Sequence, residues 1–208
     1  MPERQPETAD GSGYIPPPQT VSRLASLHEV LMGESDRGCL LVLLSDIDDK
    51  VEELLRITLE QYGCVRDAHW LLDAKAGSRP LGNLAVRTRL AKCLGLISPA
   101  IAHVIDEFRA IRNSHAHGTE AFALAEKDIL PVKSAWDPES WKVVEERRHT
   151  IKTKGSDTAR ELFVAMLLIT YELQHCCERS RQYQISLADF IKAMDENEEP
   201  SVQGETTP

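Results

Sequence analysis

Apolar residues in this chain recur at steps of three and four almost from end to end. Leu40, Leu44, Ile47, Val51, Leu54 and Leu55 form one such stripe, with Asp46, Asp48, Asp49, Glu52 and Glu53 mostly turned the other way. That spacing follows the 3.6-residue turn of an α-helix and predicts one long amphipathic helix. Ser35 or Asp36 suits its N-cap. Gly63 suits its stop, because glycine accepts the left-handed conformation in which helices end. A shorter stripe, Val21, Leu24, Leu27 and Leu31, precedes it and stops at Gly33. "DAHWLLDA" is a short apolar piece, "AKAGSRPLG" a loop, and "NLAVRTRLAKCLG" a helix ended by Gly95. Pro99 fits the first turn of the next helix, where its missing N–H costs nothing. Ile101, Val104, Ile105, Phe108 and Ile111 give that helix its buried face. "LPVKSAWDPES" reads as a loop and Trp141 to about Ile151 as a charged helix. Ser156 caps a last long helix, striped by Ala159, Leu162, Phe163, Met166, Ile169, Leu173 and Cys176, and "SLADFIKAM" adds a short one. No segment alternates as a half-buried strand would. The expected architecture is all-α, a compact multi-helix bundle.

Composition changes that picture at the ends. Residues 1–19, "MPERQPETADGSGYIPPPQ", are rich in proline and glycine and predict a disordered arm. Residues 20–193 form the helical domain, and 194–208 an acidic disordered tail. The net charge is −9, but Asp195, Glu196, Glu198, Glu199 and Glu205 stand in the tail without a base. The body is therefore near neutral and lacks the global positive field that drives general nucleic-acid binding. No apolar run reaches the ~18 residues that span a bilayer, and no basic-then-apolar leader opens the chain. A cytoplasmic protein without a membrane contact is expected. Five cysteines, at 39, 64, 93, 176 and 177, include no CxxC pair. They read as reduced, mostly buried thiols, with no metal and no cofactor expected.

Three stretches carry candidate chemistry. "RLAKCLGLISPAIAHVI" has the skeleton of a helix-turn-helix. Its reading helix would turn Ser98, Pro99, Ala102, His103, Asp106 and Glu107 outward. None of these is a bidentate partner for a base edge of the arginine, asparagine or glutamine kind, and two are carboxylates facing phosphate. Two ordinary helices around a glycine turn is the better reading. The second stretch, Ala74 to Gly95, holds Lys75, Arg79, Arg87, Arg89 and Lys92 and no acid. Arg147 to Lys154 adds four more bases. These are either a solvated face or a salt-sensitive polyanion patch. The third is "RNSHAH", residues 112–117, before Gly118. Arg112 could grip a phosphoryl oxygen through its paired donors, and His117 could move a proton near neutral pH. Together they could cleave RNA without metal. The plainer alternative is a helix C-terminus whose cationic and dipolar side chains satisfy its last carbonyls.

"ESDRGCLLVLLSDIDDKVEELLR", "PLGNLAVRTRLAKCLGLIS" and "IDEFRAIRNSHAHG" resemble, in order and spacing, three blocks of the mannitol operon repressor family. The resemblance covers roughly Glu34 to Gly118. It implies an all-helical bacterial regulator of transcription that lacks a recognisable DNA-binding motif. It also implies a homodimer working through another protein, such as a DNA-binding regulator. Asp36, Arg37 and Gly38 match the first block, Pro80, Leu81, Gly82, Arg87 and Gly95 the second, and Arg112, Asn113, Ala116 and His117 the third. Leu84 and His115 stand where the family has aromatics. Asp36, Arg37, Asn113 and Arg87 are thus the expected binding residues, with Asp36 and Arg37 holding the bundle end together with Arg112 or Asn113. The spacing of Arg112 and His117 is also similar to the motif of the HEPN superfamily, many of whose members are dimeric, metal-independent ribonucleases. Under that alternative these two residues are catalytic and RNA is the substrate.

Overall fold

The computed structural model describes residues 34–72, 80–115, 124–151 and 156–197, together with 26, 27 and 29–31, and side chains as far as Gln182. The expected arm, Val21 and Leu24 of the first stripe, and His117 lie outside these residues. Seven helices follow Gly33 among the described residues: α1 Asp36–Gln61, α2 Val65–Leu72, α3 Leu84–Cys93, α4 Pro99–His115, α5 Glu126–Ala135, α6 Pro138–Arg147 and α7 Asp157–Asn197. A 3-10 turn, Arg148–Thr150, follows α6. No strand occurs among the described residues.

α1 and α7 are the spine and pack along each other over most of the length of α1. Leu40, Ile47, Val51 and Leu54 of α1 and Leu162, Phe163, Met166 and Leu173 of α7 are wholly or almost wholly buried. These are the stripes that helical periodicity marks. α2, α3 and α4 lie against α1, while α5 and α6 lie against α7. Phe108 and Ile105 bring α4 into the same core.

The helix ends are set locally. Ser35 caps α1, its Oγ accepting from the Gly38 N–H at 3.2 Å. Asn83 caps α3 by accepting from Val86 N–H at 3.0 Å. Gly63 and Gly95 carry φ of 75° and 71° and close α1 and α3. After α1 the Cys64 N–H reaches the Leu59 carbonyl; after α3 the Leu96 N–H reaches that of Ala91. These bonds satisfy carbonyls that a helix end leaves orphaned.

Two expectations fail on tertiary grounds. "LPVKSAWDPES" is not a loop: α5 runs through Pro131, and Trp136–Asp137 alone separates it from α6. Buried Ile129 and Val132 pin α5, and Asp128 accepts from the Ala125 N–H at its start. Burial there outweighs the bond that proline removes. "SLADFIKAM" is not a separate helix either, since α7 continues without a break to Asn197, past Met194 where a tail was expected.

Candidate functional site

The basic stretch before Gly95 divides on folding. Arg87 occupies the same face of α3 as Leu84, Thr88 and Ala91, all buried. Its side chain is 2% exposed. Nε donates to the Leu81 carbonyl at 2.6 Å, Nη1 to Asp48 Oδ1 at 2.6 Å, and Nη2 lies 3.1 Å from Glu52 Oε2. Glu52 also accepts from Arg56 at 2.6 Å, and Arg56 in turn meets the His69 ring at 3.2 Å. One guanidinium thus ties α3, the Pro80–Asn83 turn and two turns of α1. A planar fork serves three acceptors where an ammonium would serve them poorly. Burial holds the Asp48 carboxyl above its ordinary range, against the pull of Arg87. Arg87 is therefore a buried staple and unavailable to an external polyanion, which corrects the expectation that it forms part of a surface patch. Arg89 and Lys92 are exposed, and Lys75 and Arg79 lie outside the described residues.

Beside this staple runs a groove of about 620 Å³. Leu41, Leu44, Ser45 and Asp48 of α1 form one wall and the Gly82–Val86 stretch the other; Arg109 and Arg112 of α4 line it as well. Arg109 is paired with Asp106 at 2.7 Å. Arg112 is exposed and has no ion-pair partner among the described residues. Asn113 is exposed on the next position. His115 does not share the groove; its Nε2 lies 3.7 Å from Asp128 of α5.

The other bundle-end residues separate. Arg37 Nη2 donates to the His115 carbonyl at 3.3 Å and so caps the C-terminus of α4. Asp36 instead feels Arg160 of α7; burial raises its carboxyl above the ordinary value and Arg160 opposes that. The expected tie between Asp36 and Arg112 or Asn113 is replaced by one between Arg37 and a backbone oxygen. Sequence spacing identified the segment but not the atom, because a carbonyl has no residue signature.

The helix-turn-helix candidate is two core helices. Ala102, expected to face outward, is buried. Exposed His103 sits 3.9 Å from Glu107 on its own helix. A second cavity of about 400 Å³ lies where Ile101 and Val104 of α4 meet Trp136, Val143 and Leu168. Among the described residues no group of three or more histidine, cysteine or carboxylate side chains could hold a metal. No described helix is long and apolar enough to cross a membrane.

No family model and no curated protein matches the chain. Its structure is similar to a chain in the X-ray structure of the MtlR–HPr complex from Escherichia coli. The TM-score is 0.54 at 18% identity, over 73% of this chain and 98% of that one. The fold is that of MtlR, the mannitol operon repressor. The mannitol repressor is also the family that the three sequence blocks resemble. In this version of the mannitol-repressor fold, the "DRG" block is the first turn of α1 and "RNSH" the last turn of α4. Arg37 joins the two.

Proposed function

We propose that this chain is a transcriptional regulator of the mannitol-repressor type that acts by holding a protein partner and does not read bases itself. The observation that carries this reading is the shared fold with a chain crystallised in complex with a second protein, HPr. Electrostatics supports it. The helix that would enter a DNA groove buries Ala102, exposes His103 and leaves Asp106 and Glu107 half-buried on its outer side. Over His103–Glu107, the part that would read the groove, that surface offers carboxylates to phosphate and no bidentate donor to a base. Partner binding would in turn favour or disfavour a DNA-binding regulator held in the same complex, and a homodimer fits the same scheme.

The test is a calorimetric titration of the purified chain with HPr, beside a gel shift with duplex operator DNA at physiological salt. A defined complex with HPr and no sequence-selective shift are expected. Tight, sequence-selective duplex binding by the isolated chain, with no protein complex, would overturn the proposal.

A further inference from the structure

The outward face of α3 is unusual for a chain of net charge −9. Val86, Arg89, Leu90 and Cys93 stand at positions i, i+3, i+4 and i+7, which a helix gathers on one side. Val86, Arg89 and Cys93 are exposed and Leu90 is half-buried. Val86 also borders the groove, where Leu41 is 47% exposed. Lys92 flanks this face, and Arg112 stands at the far side of the groove. Among the described residues, Arg89, Lys92 and Arg112 enter no ion pair; Arg66, Lys127 and Arg147 also enter none, but none of those three lines this groove. α3 contains no acid. The groove's one carboxylate, Asp48, is already neutralised by Arg87.

We propose that the α3 face and the adjoining groove dock an acidic protein segment that carries apolar side chains. Its carboxylates meet Arg89, Lys92 and Arg112, and its apolar side chains cover Leu41, Val86 and Leu90. This rests on the protein-contact reading above and names the chemistry of the partner. Three observations select that occupant. Unpaired cations beside exposed aliphatic side chains need both charge complementarity and apolar cover, which a protein segment supplies together. Nucleic acid fits poorly, because neither α3 nor the groove lining offers an aromatic ring for a base to stack on. A second copy related by a two-fold axis would set Arg89 and Lys92 against their own duplicates, a like-charge contact.

The experiment uses the full chain with a dye-labelled amphipathic peptide of leucine and glutamate, a lysine counterpart of that peptide, and heparin as the polyanion. Binding is read by fluorescence anisotropy and heparin retention. The leucine–glutamate peptide is expected to bind and the lysine peptide not. Reversing charge at Arg89→Glu, Lys92→Glu and Arg112→Glu together should weaken that binding by about tenfold or more. Leu41→Ser with Val86→Ser should weaken the peptide and leave heparin retention unchanged. All five positions are at the surface, so circular dichroism should report an unaltered fold. Peptide affinity unchanged in the charge-reversed chain would overturn the proposal, as would equal binding of both peptides. Heparin retention lost with the charges, with peptide affinity indifferent to the serine variants, would mark a polyanion patch instead. If the charge-reversed chain still forms the HPr complex at full affinity, this surface is wrong while the protein-contact reading stands. If the unaltered chain binds neither HPr nor peptide, both fall.

Discussion

At the residue scale, Arg87 carries the most consequence. Its buried guanidinium serves two carboxylates and a carbonyl; removing it strands Asp48 and the Leu81 carbonyl and leaves Glu52 to Arg56 alone. Arg87→Ala is expected to cost about 3 kcal/mol in urea unfolding, since breaking one side of a buried pair leaves charge uncompensated. Arg87→Lys should recover less than half of that, because one ammonium cannot span the three acceptors. A loss below about 0.5 kcal/mol, the size of an ordinary surface change, would show the network to be idle. Asp36 and Arg112 make the opposite case. They face different elements, so Asp36→Ala and Arg112→Ala should add within about 0.5 kcal/mol in a double-mutant cycle. Strong coupling would restore the direct tie that the matched blocks suggested. The buried position of Arg87 was in fact legible: it shares the spacing of Leu84, Thr88 and Ala91. What hid it was the usual rule that arginine belongs outside, which holds unless a buried arginine is paired.

At the scale of elements, α1 and α7 are joined by more than apolar contact. Glu53 accepts from Lys50 at 2.5 Å and pairs with Arg181 of α7. Burial alone would raise its carboxyl, but Lys50 and Arg181 together hold it below the ordinary value. A carboxyl lowered in the folded state contributes stability above its unfolded pKa of about 4.3 and loses it as pH falls through the folded value. Thermal melts from pH 7 to pH 3 should therefore show a steeper acid decline for the native chain than for Glu53→Gln. Parallel declines would mean that the α1–α7 pairing contributes nothing to acid sensitivity. Helix existence and several caps were readable at this scale, as Ser35, Gly63, Gly95 and Ser156 show. The helix through Pro131 was not, because proline's local signal says stop and only the burial of Ile129 and Val132 says continue.

At the scale of the whole molecule, regulator and ribonuclease are different predictions from the same hexapeptide. The regulator reading expects single-stranded RNA to stay intact in EDTA over hours with the purified chain. Cleavage that leaves 2′,3′-cyclic ends and disappears in His117→Ala would move the protein to the enzyme class. The periodicity of apolar residues, by itself, determined an all-α bundle and most of its helix boundaries, because that information is local and repeats every turn. The three blocks named the family whose fold the chain shares. Only the tertiary structure decided which cations are spent and which are left over. Arg87 and Arg89 lie two residues apart on one helix, yet one is sealed against Asp48 and Glu52 and the other faces solvent. Pairing of that kind depends on which helix lies alongside, and a distance between α1 and α3 is written nowhere in the spacing of either.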